Sequence, residues 1–169
     1  MNTDNNAWAK FYEGIERANK AIEGLREYGN IEENPRMAQL LGEALTLRAV
    51  IYLDLVKAWG DVPARFEPIT SETLYLPRTD RDEIYKQLLK DLSEAEDMVA
   101  WPNETSVTSS TERVNKAFVK GLMARIALYA SGYSQRADGI RRSNDPELSV
   151  ENMYALAKEK SIEVINSGS

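Results

Sequence analysis

The chain has 169 residues, 27 acidic and 21 basic, for a net charge of −6. That length fits one domain able to bury roughly 70% of its unfolded surface, and the acidic balance makes a poor binder of polyanions, so nucleic acid is not an expected partner. Cys and His are both absent, which removes disulfides, thiol nucleophiles and the commonest general base and metal ligand, so no metal or cofactor is expected.

No apolar run approaches the ~20 residues that a membrane span needs. The opening MNTDNNAWAK has neither a basic region nor an apolar stretch, so no signal peptide is read there. Five amphipathic helices follow from apolar residues spaced three and four apart. The first covers about residues 5–28, with Trp8, Phe11, Tyr12, Ile15, Ala18, Ile22 and Leu25 on one stripe. The second covers about residues 35–59, with Pro35 in the first turn, where its missing N–H costs nothing. Its stripe (Leu41, Ala44, Leu45, Ile51, Tyr52, Leu55, Trp59) is widened almost to a full circle by Leu47, Val50, Leu53 and Val56, which predicts a central position. Gly60 is expected to cap it, and Asp61 and Pro63 turn the chain away.

Residues 61–79 contain three prolines and read as a long crossing loop. A third helix starts near Asp80 as N-cap and carries Ile84, Tyr85, Leu88, Leu89, Leu92, Ala95 and Met98 inward. A polar loop at 102–113 leads to a fourth helix, about residues 114–129, with Ala117, Phe118, Leu122 and Leu128 inward. Residues 131–149 read as loop, and a fifth helix spans about residues 150–166 with Tyr154, Ala157, Val164 and Ile165. No strand alternation is read, so the expected class is all-α. The expected architecture is one domain over residues 1–169, built of antiparallel helix pairs stacked in the right-handed, tetratricopeptide-like manner. A plain bundle is the alternative.

Three candidates for ligand contact are Trp101, Tyr75 and Trp8, because a flat aromatic face suits the C–H side of a sugar ring. Trp101, before Pro102 at a helix end, is expected to be the most exposed of the three tryptophans; Trp8 and Trp59 lie on apolar stripes and read as core. Asn19, Arg48 and Arg125 fall inside apolar stripes of core helices. Burying such groups unpaired costs several kcal/mol, roughly, so they are expected to be buried in a structural polar network. The carboxylates Asp80, Asp82 and Glu83, and Glu94, Glu96 and Asp97, could in principle serve glycoside hydrolysis. They sit at a helix start or on a polar helix face, where acids are expected anyway, and no catalytic residue is assigned. Asn144-Asp145-Pro146-Glu147 lacks the spacing of a calcium loop and reads as a turn. Arg136, Arg141 and Arg142, interrupted by Asp138, read as a solvated loop.

Four stretches carry a family resemblance: WAKFYEGIERAN from Trp8 to Asn19, GEALTLRAVIYLDLVKAWGDVP from Gly42 to Pro63, PRTDRDEIYKQLLKDL from Pro77 to Leu92, and RVNKAFVKGLMARIALY from Arg113 to Tyr129. In this order they resemble the SusD/RagB family, with Asn115 standing where the family more often has Thr. The resemblance implies a non-catalytic nutrient-binding protein at the extracellular face of the outer membrane, tethered there by an N-terminal lipidated Cys. It implies a SusC-like TonB-dependent transporter as partner, on which the protein sits as a lid, and a glycan or peptide as nutrient. It implies that this chain is the helical scaffold part of a longer protein, facing the transporter, with much of the ligand site supplied by later loops. The closing EVINSGS resembles a helix end of the family, and the chain is expected to stop within such a protein. A generic helical-repeat adaptor is the alternative, though no regular period near 34 residues is found; a helical hydrolase or lyase is a third reading.

Overall fold

The computed structural model describes residues 6–110 and 112–168. Five helices dominate: α1 (Ala7–Tyr28), α2 (Pro35–Trp59), α3 (Arg81–Met98), α4 (Lys116–Ser131) and α5 (Val150–Ser167). Each begins at a short polar side chain that satisfies an otherwise orphaned N–H. Asn6 accepts from Ala9, Asn34 from Met37, Asp80 from Asp82, Asn115 from Phe118 and Ser149 from Asn152. Asn115 thus starts α4 two residues later than the apolar pattern suggested.

Consecutive helices pack on one another, and side-chain pairs fix their direction. Trp8 meets Trp59 and Asn19 meets Arg48, so α1 and α2 are antiparallel. Arg48 meets Asp91 while Gly60 lies against Arg81, so α2 and α3 are antiparallel. Gly42 lets α3 come close: a Cβ there would stand 2.6 Å from Val99 Cγ1 and 3.2 Å from the Ala95 carbonyl. At Lys120–Glu96 and Lys116 N–Ala100 O the chain reverses again into α4. The α2 helix packs against α1, α3 and α4, and its Leu41, Leu45, Ala49, Tyr52 and Leu55 are fully buried.

The segment read as loop from 131 to 149 holds a small hairpin, β1 (Ser134–Arg136) with β2 (Gly139–Arg141), and a 3-10 turn at Pro146–Leu148. Three-residue strands are too short for an alternating pattern to stand out. The hairpin is fixed from outside, because Arg136 is buried and makes two bonds to Asp82, at 2.6 and 2.9 Å. The reading of Arg136 as solvated is therefore corrected; Arg141, paired with Asp138, stays at the surface.

Several stripe assignments are also corrected. Phe118 and Leu128 are 48% and 51% exposed rather than inward, as are Tyr154 and Ile165 of α5 at 53% and 76%. Among the described residues of α4, Phe118, Gly121, Arg125 and Leu128 form the outward stripe, spaced three and four apart. The helix is apolar nearly all round, so its sequence does not say which side is covered.

Candidate functional site

The site grows from the crossing loop 61–79. Three prolines keep that loop out of regular structure, so its backbone carbonyls need partners from elsewhere. Asn19 Nδ2 donates to the carbonyls of Arg65 at 3.1 Å and Glu67 at 2.9 Å. Arg48 Nη1 donates to the carbonyl of Phe66 at 2.8 Å and to Asn19 Oδ1 at 2.8 Å. Its Nη2 meets Asp91 at 2.6 Å. Tyr52 hydroxyl donates to the Arg65 carbonyl at 2.9 Å, and its ring stacks on Phe66 with centroids 4.9 Å apart. Tyr12 hydroxyl donates to Pro63 at 2.8 Å; burial pushes its pKa up to about 12, so it remains a donor at neutral pH. The polar residues on the α1 and α2 stripes thus hold a loop in place.

Arg125 does not join this network. It is exposed on the outward stripe of α4 and borders a shallow groove of about 360 Å³ between α2 and α4, with Val50, Leu53, Phe118 and Leu122. The expectation that it is buried is corrected, for the reason just given for α4.

The anchored loop closes one wall of a hollow of about 430 Å³ over the start of α1. Trp8 and Tyr12 form its floor, and Pro63, Leu74 and Tyr75 its far side. Tyr75 is 90% exposed, so its ring has nothing to cover it. Two of the three aromatic candidates, Trp8 and Tyr75, are therefore brought together. The third is not: Trp101 is half-buried at the α3–α4 connection, where the ammonium groups of Lys116 and Lys120 each lie 5.9 Å from its ring centroid.

Trp8 is half-buried and stands edge-on to Trp59, with centroids 5.5 Å apart; Tyr12 and Phe11 complete the cluster at 5.0 Å from Trp8 and 5.8 Å from Trp59. Trp59 is 45% exposed, not core. It ends α2 beside the Gly60 turn, where the chain leaves the packed layers. A stripe reading that runs to the last residue of a helix misses this.

Most of the candidate carboxylates are engaged elsewhere. Asp82 is held by Arg136 and Ser143, and Asp80 caps α3. Glu96 takes Lys120 at 2.6 Å and Lys160 at 2.9 Å; Glu163 also binds Lys120; Glu94 pairs with Arg26. Asp145 caps the 3-10 turn and pairs with Lys86. Among the described residues no group of three His, Cys, Asp or Glu is placed to hold a metal ion, and no helix is long and apolar enough to cross a membrane.

Comparison with known proteins gives the same outline. A SusD-like family model, described as "Starch-binding associating with outer membrane", matches residues 1–128. SusD-like protein P38 of Formosa agariphila is 33% identical over 128 residues, 75% of this chain and 23% of that protein. A SusD superfamily protein from Parabacteroides distasonis superposes with a TM-score of 0.77 at 29% identity, over 95% of this chain and 31% of that one. A laminarin-binding SusD-like protein superposes with a TM-score of 0.64 at 26% identity, over 73% of this chain and 26% of its own. The chain thus spans about a quarter to a third of the length of these relatives.

Proposed function

Since the chain belongs to the SusD-like family, we propose that it is the helical part of a longer, non-catalytic glycan-binding protein of the bacterial outer membrane. The observation that carries this reading is the hollow over α1. There Trp8 and Tyr75 offer ring faces, and a buried polar network holds the loop between them in a set shape. Sugar rings present apolar C–H faces to such surfaces, and a site built before the ligand arrives loses less freedom on binding. Peptide is the other nutrient the family resemblance allows. The aromatic hollow supports glycan over peptide, because among the described residues no sheet edge lines it and its cation, Arg65, is turned onto the Leu74 carbonyl.

Among the described residues no Asp or Glu lines this hollow, which favours binding over hydrolysis there. The groove between α2 and α4, apolar and bordered by Arg125, supports the further reading that the opposite side of the scaffold meets a protein partner. In this reading the partner is a SusC-like TonB-dependent transporter, and a lipid anchor ahead of the helical part tethers the protein to the membrane.

Calorimetric titration with two oligosaccharide series, laminarin-type and starch-type, tests the binding. Saturable uptake of either series, without release of new reducing ends, is the expected result. Failure of both to bind removes the hollow over α1 as a glycan site, and turnover of either overturns the non-catalytic reading.

A further inference from the structure

The Trp8–Trp59 contact has a second side. Beyond Trp59, between the ends of α2 and α4 and the start of α3, lies another hollow of about 430 Å³. Trp59, Tyr129 and Tyr133 rim it, and they are 45%, 44% and 70% exposed. Three large aromatic rings grouped at one opening are more than scattered surface residues, and such grouping marks a contact site.

The rings are held in set orientations. The Arg142 guanidinium sits 4.8 Å from the centroid of Tyr133, and the Lys57 ammonium 5.4 Å from that of Tyr129. Polar groups stand between them. Arg81 spends its Nε on Asp61 at 2.8 Å, and its terminal nitrogens lie under Gly60, where a Cβ would come within 2.4 Å of Nη2. Gln135 donates its amide N–H to the Arg136 carbonyl, which turns its side chain into a fixed orientation at the rim. The two cations of the lining are both compensated, Lys57 by Asp54 at 3.1 Å and Arg81 by Asp61. An anionic ligand would have to compete with those carboxylates, whereas a neutral polyol needs only ring faces and hydrogen-bonding groups.

We propose that this hollow is a second surface for a neutral glycan, and that one oligosaccharide runs over the Trp8–Trp59 pair to occupy both hollows. The proposal rests on the glycan reading given above. Its consequence is selection by length: a short oligosaccharide fills the hollow over α1, while a long one gains the second contact as an intramolecular event.

The two oligosaccharide series, graded by length, test it on the whole 169-residue chain. The wild-type chain should bind the long members at least about tenfold more tightly than the short ones. Tyr133→Ala, at a position too exposed to matter for folding, should abolish that gain and leave short members unaffected. Tyr75→Ala should weaken both. Affinity that is independent of length, or long-chain binding unchanged by Tyr133→Ala, overturns the second surface while the first stands. If the wild-type chain binds no member of either series, the glycan reading fails and the second surface falls with it.

Discussion

Arg48 and Asp91 meet at 2.6 Å with each side chain only 3% exposed. The guanidinium also serves Asn19 and the Phe66 carbonyl, so one cation ties α1, α2, α3 and the crossing loop together. Removing it strands a buried carboxylate. Arg48→Met is expected to cost about 3 kcal/mol, read as a lower urea midpoint. Adding Asp91→Leu should recover part of the loss, because the stranded charge goes with it. Arg125→Met, on the exposed stripe of α4, should stay within about 0.5 kcal/mol of the wild type.

Gly60 has φ = +75°, a backbone setting that L side chains rarely adopt. A Cβ there would also strike the Arg81 guanidinium. Gly60→Ala is expected to destabilise the chain by about 1–3 kcal/mol and to loosen Arg81 from Asp61. Equal thermal midpoints for the two chains would show that the turn relaxes freely.

Acid should weaken the packing of α5 first. The hydrogen bond from Lys120 holds the Glu163 carboxyl below its ordinary value of 4.5, and the bond from Lys86 holds Asp145 below 3.8. Groups depressed in this way stabilise the fold fully above their unfolded values and lose that contribution as pH falls through the folded ones. The urea midpoint should therefore begin to drop once pH falls below about 5 and keep dropping through the depressed folded values. Glu163→Gln with Asp145→Asn should flatten that drop while lowering the midpoint at neutrality.

Tyr75 and Trp8 separate binding from stability. With its ring 90% exposed, Tyr75→Ala should leave the unfolding midpoint within about 0.5 kcal/mol and weaken glycan binding at least about tenfold. Trp8→Ala should lower both, because that ring also packs on Tyr12 and Trp59. A Tyr75→Ala chain with wild-type affinity would remove the crossing loop from the site.

The helices were legible because apolar spacing, Asn and Asp caps, Pro35 and Gly60 all agree along the chain. Asn19 and Arg48 were legible as misfits, polar groups on covered stripes. Arg125 has the same local sequence appearance but the opposite environment, since α4 is apolar on both sides and only its neighbours decide which is covered. The Arg136–Asp82 pair joins residues 54 positions apart, and no local spacing reports a contact of that kind. The stripe places Trp59 in the core because apolar spacing does not show where a helix leaves the layers that cover it.

Each helix packs mainly on the helices before and after it in the chain. Contacts of that kind close short stretches of polypeptide, so little loop-closure entropy separates one step of assembly from the next, and folding should be rapid. The same arrangement gives the structure an order of opening. The fifth helix leans on α4 and the turn beside it, and it can detach while the Asn19–Arg48–Asp91 layer stays closed. Amide exchange should then be fastest in α5 and slowest in the middle of α2, so the wall of the first hollow is the last part of the molecule to loosen.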